Sequence, residues 1–193
     1  YLIFESTFAY QFSNMNAFIS KLFSLEGKTA VVTGAGGYLC GEMARALAQA
    51  GCNVAVLDLR LEKAQSVEQE IKQLCNAKTM ALAIDVTVKE QHINALKQIT
   101  ETLGKVDILI NGAGINGPTP FLEIELKEWH AILDSQITGT FLGCQVFGEH
   151  MLANGRGSII NVSSASAGPP LSKAFTYSVA KAGILNLTQN LGR

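Results

Sequence analysis

A doubly wound parallel α/β sheet, in three layers with helices over both faces, is the fold class this sequence predicts, and three observations predict it. From Lys28 onward, short β-branched apolar runs alternate with stripes of apolar residues at helical spacing. A glycine-rich run, Thr33-Gly34-Ala35-Gly36-Gly37, follows the first of those runs directly. The runs Ile108-Leu109-Ile110 and Ile159-Ile160 are apolar without alternation, as parallel strands covered on both faces require.

The elements follow in order. Lys28 to Thr33 reads as the first strand, the glycines as a turn, and Met43, Leu47 and Ala50 as the apolar side of a helix. Asn53 to Asp58 is the second strand. Leu61, Ala64, Val67, Ile71 and Leu74 form a helical stripe, and Lys78 to Ile84 returns to strand. Ile93, Leu96, Ile99 and Leu103 repeat the device before a fourth strand, Asp107 to Asn111. A long helix from about Lys127 to Ala153, with Trp129 anchoring its start against the sheet, leads to a fifth strand, Ser158 to Val162, and a last helix begins near Thr176.

Composition narrows the function classes. The 193 residues, 48% hydrophobic with 18 glycines, suit one domain with a substantial core and repeated strand-to-helix turns. The division expected is an N-terminal extension or arm over residues 1–24 and a nucleotide-binding domain over 25–193. Tyr1 to Asn14 lacks the basic start and small-residue cleavage site of a secretory signal, and reads as an upstream-read or appended segment. A formal charge of −1 without a Lys/Arg block points away from nucleic acid and from anionic membranes. No run of about 20 apolar residues suggests a membrane span. Cys40, Cys52, Cys75 and Cys144 show no paired spacing, so they read as reduced thiols of a cytoplasmic protein, and no metal site is expected. His130 and His150 read as solvated surface.

In an open parallel sheet the ligand sits beyond the carboxyl ends of the strands, where strand order reverses. The glycine turn places backbone N–H groups at a helix N-terminus, which suits a pyrophosphate. Asp58 ends the second strand 24 residues after Gly34, where a carboxylate accepts both ribose hydroxyls and repels a 2′-phosphate. NAD is therefore expected over NADP, although Arg60, two residues on, would tolerate the phosphate. Tyr177 and Lys181 project from one helix face, so the ammonium favours the phenolate by proximity. Ser164 lies thirteen residues before Tyr177.

With these residues in view, the chain resembles the short-chain dehydrogenase/reductase family from about Leu25 to Arg193. The turn Gly34, Gly36, Gly37 and Leu39 resembles the family's nucleotide turn, with Asp58 and Leu59 following the second strand. Asp85-Val86 resembles the pair at the adenine, and Asn111-Gly112-Ala113-Gly114 the segment bordering the cofactor; Asn111, Ala113 and Gly114 carry that likeness. Asn161-Val162-Ser163-Ser164 matches the strand leading to the catalytic Ser. The resemblance implies a Rossmann fold and a carbonyl/alcohol oxidoreductase. In it Tyr177 is the acid/base, Ser164 holds and polarises the substrate carbonyl, and Lys181 binds the nicotinamide ribose. Ser163 would instead cap backbone at the strand end. The family commonly forms homodimers or homotetramers, which sets the same expectation here.

The chain departs from the family pattern at three positions. Tyr38 and Cys40 stand where the second and third turn glycines belong, and Gln136 replaces a helix Asn that helps hold a proton-relay water. The run Gly36 to Cys40, with Thr138 to Leu142 and Gln145-Val146-Phe147, looks like the D-mannonate (fructuronate) oxidoreductase branch, near the gluconate 5-dehydrogenases. That implies a sugar-acid or polyol substrate. Two other readings stay open: a non-catalytic nucleotide-binding protein of this fold, and a reductase of another carbonyl such as a 3-oxoacyl thioester. By the same resemblance the last strands and the substrate lid lie beyond Arg193.

Overall fold

The computed structural model describes residue 19 and residues 21–193. Most of the expected extension, including all of 1–14, lies outside the described residues. The Leu25 N–H donates to the Ala50 carbonyl at 2.8 Å, and its side chain packs on the core.

Five parallel strands form one sheet: β1 (Thr29–Thr33), β2 (Asn53–Asp58), β3 (Thr79–Ala83), β4 (Ile108–Asn111) and β5 (Ser158–Asn161), in spatial order β3-β2-β1-β4-β5. The chain steps outward from β1 to β3, then returns to β1's other side with β4. The order therefore reverses between β1 and β4, where a doubly wound sheet opens its ligand crevice.

The helices are α1 (Tyr38–Gln49), α2 (Leu61–Leu74), α3 (Lys89–Leu103), α4 (Leu126–Leu133), α5 (Gly139–Ala153) and α6 (Phe175–Leu191). Neighbouring strand residues point to opposite faces, and each face builds its own core. Val32, Val56 and Ile110 join Ala44, Ala48, Ala64, Val67 and Ile71 of α1 and α2. Val31, Ala55 and Leu109 join Ala95, Ile99, Leu103, Phe147 and Met151 of α3 and α5 on the other side.

Two helices sit rotated from their sequence-predicted faces. On α1 the buried seam is Cys40, Gly41, Ala44 and Ala48, while Met43 and Leu47 are half-buried. Alanine-sized side chains let α1 lie close against the sheet, and the larger ones flank the contact. On α3 the buried seam is His92, Ala95, Ile99 and Leu103, and Ile93 is exposed.

The expected long helix spans the anticipated range but not as one regular helix. A π-helical segment, Asp134–Thr138, joins α4 to α5 and buries Gln136. Trp129 packs on the Phe175 ring of α6, with centroids 6.4 Å apart, so it anchors the helix pair and not the sheet. His130 is exposed as expected, whereas the half-buried His150 accepts the Val106 N–H at 3.1 Å through Nε2. Strand β5 is the sheet edge, with Ile160 about half exposed. The four cysteines are free thiols, and no described helix is long and apolar enough to cross a membrane.

Candidate active site

Beyond the carboxyl ends of β1, β2 and β4 lies a crevice of about 670 Å³, within the range of small-molecule and cofactor sites. Its walls gather most of the residues singled out in the sequence. Gly34, Gly37 and Leu39 line the turn, Asp58 and Leu59 the end of β2, and Asp85 and Val86 the segment after β3. Ala113 and Gly114 line the segment after β4, and Gln136, Tyr177 and Lys181 close the far end. Gly36, Asn111 and Ser164 are not among the lining residues. The sequence did not single out Ile84, Thr87, Ile115 or Ser135, which also line it.

Backbone contact shapes the turn. Gly34 has φ +69°, and a Cβ there would stand 2.8 Å from the Ala113 Cα, so a side chain is excluded by both conformation and space. Gly36 has no room either, because a Cβ would meet Lys63 Cβ at 2.6 Å and the Asp58 carboxyl at 2.8 Å. That closeness serves a bond: the Gly36 N–H donates to Asp58 Oδ2 at 3.1 Å, while the Arg60 N–H donates to Oδ1 at 3.1 Å. The carboxylate is thus oriented before any ligand arrives.

The two substituted glycine positions leave the turn usable. Tyr38 opens α1 with its side chain 84% exposed at the rim, so the ring does not fill the crevice. Cys40 is buried, and its Sγ fills the space beside Gly112, where a Cβ would overlap it. Burial pushes the Cys40 thiol up from its ordinary pKa, so it stays a neutral packing group. The first-turn N–H groups of α1 have no intrahelical acceptor, and they face the crevice through Gly37, Tyr38 and Leu39.

Thr33 ties the β1 turn to the segment after β4. Its hydroxyl accepts the Gly112 and Ala113 N–H groups at 3.1 and 3.3 Å. Below it Asn111 Nδ2 donates to Asn161 Oδ1 at 2.9 Å, and Asn161 Nδ2 donates to Thr188 Oγ1 at 3.0 Å. This polar ladder fixes β4, β5 and α6 to one another from within. Asn111 therefore acts beneath the crevice, not on its wall.

At the far end Lys181 is 4% exposed. Its Nζ donates to the Val162 carbonyl at 2.6 Å and stands 5.4 Å from the Tyr177 ring centroid. Burial pulls the Lys181 pKa below its ordinary value, against a smaller opposing influence of Cys40. Ser163 Oγ donates to the Lys181 carbonyl at 3.0 Å, so it holds α6 and does not cap the strand end as anticipated. Ser164 Oγ accepts from Ser166 N at 3.2 Å and from Ser166 Oγ at 3.0 Å, which leaves its own proton to donate outward. Gln136 Nε2 donates to the Ile115 carbonyl at 2.9 Å, and its buried Oε1 has no partner among the described residues.

This geometry has close counterparts. The sequence profile described as short chain dehydrogenase matches residues 28–193. The uncharacterized oxidoreductase UxuB of Bacillus subtilis (strain 168) is 39% identical over 180 residues, covering 86% of this chain and 64% of the relative. A solved candidate D-mannonate oxidoreductase from Haemophilus influenzae, with bound NAD, superposes with a TM-score of 0.83 at 36% identity, covering 90% of this chain and 68% of its own. A gluconate 5-dehydrogenase from Burkholderia cenocepacia J2315, in complex with NADP and tartrate, gives 0.81 at 30% identity, covering 88% and 66%. The chain thus spans about 64% of the length of the curated relatives it matches first. By its profile match, its sheet order and these likenesses, the chain belongs to the short-chain dehydrogenase family.

Proposed function

We propose that this chain is the nucleotide-binding and catalytic part of an NAD-dependent oxidoreductase that interconverts a secondary alcohol and a ketone on a sugar acid or polyol. The single observation that carries the reading is Lys181, a cation buried beside Tyr177 with one carbonyl for a partner. An unpaired buried charge costs several kcal/mol by order of magnitude, and a hydrophobic residue would serve packing better. Its retention is understood if the ammonium works on a ligand and on Tyr177.

The donor set fits a dinucleotide. Asp58, pre-oriented by two N–H groups, suits two ribose hydroxyls and opposes an added phosphate, which supports NAD. The N-terminus of α1 suits the pyrophosphate, and Lys181 the ribose beside the reacting ring. Bound NAD would supply the hydride-accepting nicotinamide. In the oxidative direction Tyr177 removes the hydroxyl proton and Ser164 donates a hydrogen bond to the same oxygen; in reduction Tyr177 returns the proton. Among the proteins similar to it, one is named D-threitol dehydrogenase and another, in a solved structure, gluconate 5-dehydrogenase, which supports a polyhydroxylated substrate. The exposed apolar residues Phe121, Leu122, Leu126 and Phe175 on and beside α4 and α6 support a homodimer or homotetramer.

The test is NADH formation, read at its absorbance maximum, with D-mannonate, D-gluconate and D-threitol as substrates. Turnover with at least one, abolished by Tyr177→Phe, is the expected result. Dinucleotide binding without turnover, persisting in Gln136→Asn, would favour instead a binding protein that has lost its chemistry.

A further inference from the structure

The wall that Asp85 and Val86 present to the crevice is held from behind by two consecutive side chains of α3. Gln91 Oε1 accepts the Asp85 N–H at 2.7 Å. His92 Nε2 lies 2.8 Å from the Val86 carbonyl; because a carbonyl only accepts, this nitrogen carries the proton. The His92 ring is fully buried, set edge-on to Phe147 of α5 with centroids 6.3 Å apart, and its Nδ1 has no partner among the described residues. Burial holds the ring neutral by lowering its pKa, consistent with a single proton on Nε2. Val86 is confined from a third side, since a Cβ on Gly139 would stand 2.7 Å from Val86 Cγ2.

A buried imidazole with one empty nitrogen is an expensive way to fill this space. Leucine or valine would continue the apolar seam of Ala95, Ile99 and Leu103 without the unmet Nδ1, but would leave the Val86 carbonyl unpaired. What the imidazole adds is one donor aimed at one carbonyl, on the segment that forms the crevice wall. We propose that Gln91 and His92 are positioning residues, a two-point clamp that sets the Asp85-Val86 wall for the adenine end of the dinucleotide. The clamp rests on the reading of the crevice as a dinucleotide site. Gln91 fixes where the wall leaves β3, and His92 fixes the peptide that follows, so the wall is formed before the ligand binds and its ordering does not weaken affinity.

The experiment measures binding of NAD, ADP-ribose and nicotinamide mononucleotide to the wild-type chain, His92→Leu, His92→Gln and Gln91→Met by calorimetry, with melting temperatures in parallel. His92→Leu keeps an apolar side chain of fair size but leaves the Val86 carbonyl unpaired. The expected result is a Kd for NAD and ADP-ribose raised about five- to tenfold, the equivalent of one lost hydrogen bond, with nicotinamide mononucleotide unaffected. His92→Gln, which carries an N–H to a similar reach, brings the Kd back to within about threefold of wild type. Gln91 is exposed, so Gln91→Met folds even if His92→Leu does not, and it raises the ADP-ribose Kd in the same sense. A lower melting temperature with an unchanged ADP-ribose Kd in both variants overturns the clamp and leaves a purely structural role. Equal weakening of nicotinamide mononucleotide overturns it too. Failure of the wild-type chain to bind any of the three overturns the dinucleotide reading itself, and the clamp with it.

Discussion

The two halves of the crevice treat their polar groups differently. Where the nucleotide is proposed to lie, the side chains of Asp58, Asp85 and Thr33 are already matched, although the first-turn N–H groups of α1 and His92 Nδ1 behind the wall are not. Asp58 accepts two N–H groups, Asp85 Oδ1 accepts the Thr87 N–H and hydroxyl at 2.9 and 2.7 Å, and Thr33 accepts two more amides. On the Tyr177 side, the buried Gln136 Oε1 has no partner among the described residues, and Lys181 is a buried cation on one carbonyl. A half that binds gains from being fully formed beforehand, since its own groups need no rearrangement. A half that reacts must keep charge and hydrogen-bonding capacity unspent until the reacting atoms arrive, and folding bears that cost.

The sharpest break in this comparison is expected from Tyr177→Phe. Removing one hydroxyl from the reacting half takes away the proposed proton donor and acceptor, and turnover is expected to fall by about a thousandfold. Because the binding half is formed independently, the Kd for NAD stays within about twofold of wild type. Steady-state kinetics and calorimetry on the same preparation check both. A matching rise in Kd would show that the halves are not separable.

Asp58→Ser tests the other half. Losing the carboxylate removes the repulsion of a 2′-phosphate, and Arg60 supplies a nearby cation. The ratio of kcat/KM for NADP over NAD is expected to rise about 10- to 100-fold, equal to roughly 1.4–2.8 kcal/mol. An unchanged ratio would place the ribose elsewhere.

Lys181→Met should stabilise the fold while abolishing turnover, because a buried, unpaired ammonium is replaced by an apolar chain of similar length. The expected gain is about 1–2 kcal/mol by urea denaturation. Its pH dependence has a definite sign. In the unfolded chain Lys181 holds its proton to the ordinary value of 10.5, and the folded value is lower. Between the two the unfolded state binds more protons, so wild-type stability rises with pH through the window below 10.5. The Lys181→Met variant lacks that contribution, and its advantage should shrink as pH rises. His92 gives the same sign lower down. Its folded pKa lies below the ordinary 6.5, so stability is full above that value and is lost as pH falls from there toward the folded value. His92→Leu should flatten that acid limb.

The fold was readable because the parallel strands are continuous apolar runs and the turns carry glycine. All five strands fall within a residue or two of their expected bounds. The lining of the crevice was equally legible, since Asp58, Asp85, Tyr177 and Lys181 follow strand ends or share a helix face. Helix rotation was not. On α1 the buried seam consists of Cys40, Ala44 and Ala48, and a reading that follows the largest apolar residues selects Met43 and Leu47 instead. On α3 a polar residue, His92, occupies the seam while Ile93 faces out, and hydropathy alone ranks them the other way. The π-helical segment was also hidden, because Asp134 to Thr138 carries no glycine or proline to mark an irregularity within a helix.

Gln136 carries the smallest expected effect and the finest test of the contrast between halves. Its amide is wedged against the chain after β4: a Cβ on Gly114 would lie 2.5 Å from Gln136 Cδ, and Nε2 holds the Ile115 carbonyl. Gln136→Asn removes one methylene, so it relaxes that wedge and withdraws the donor from Ile115. The lost bond costs about 1 kcal/mol of stability, while the shorter amide stands back from Gly114. If unmet polarity in this half serves the reaction only at Lys181 and Tyr177, kcat should rise about two- to threefold as the constraint on the crevice floor eases, with the NAD Kd unchanged. A fall in kcat would mean that the unpaired Gln136 oxygen is itself reserved for a group that arrives with the substrate, which makes the longer amide a working part of this site rather than a tolerated departure.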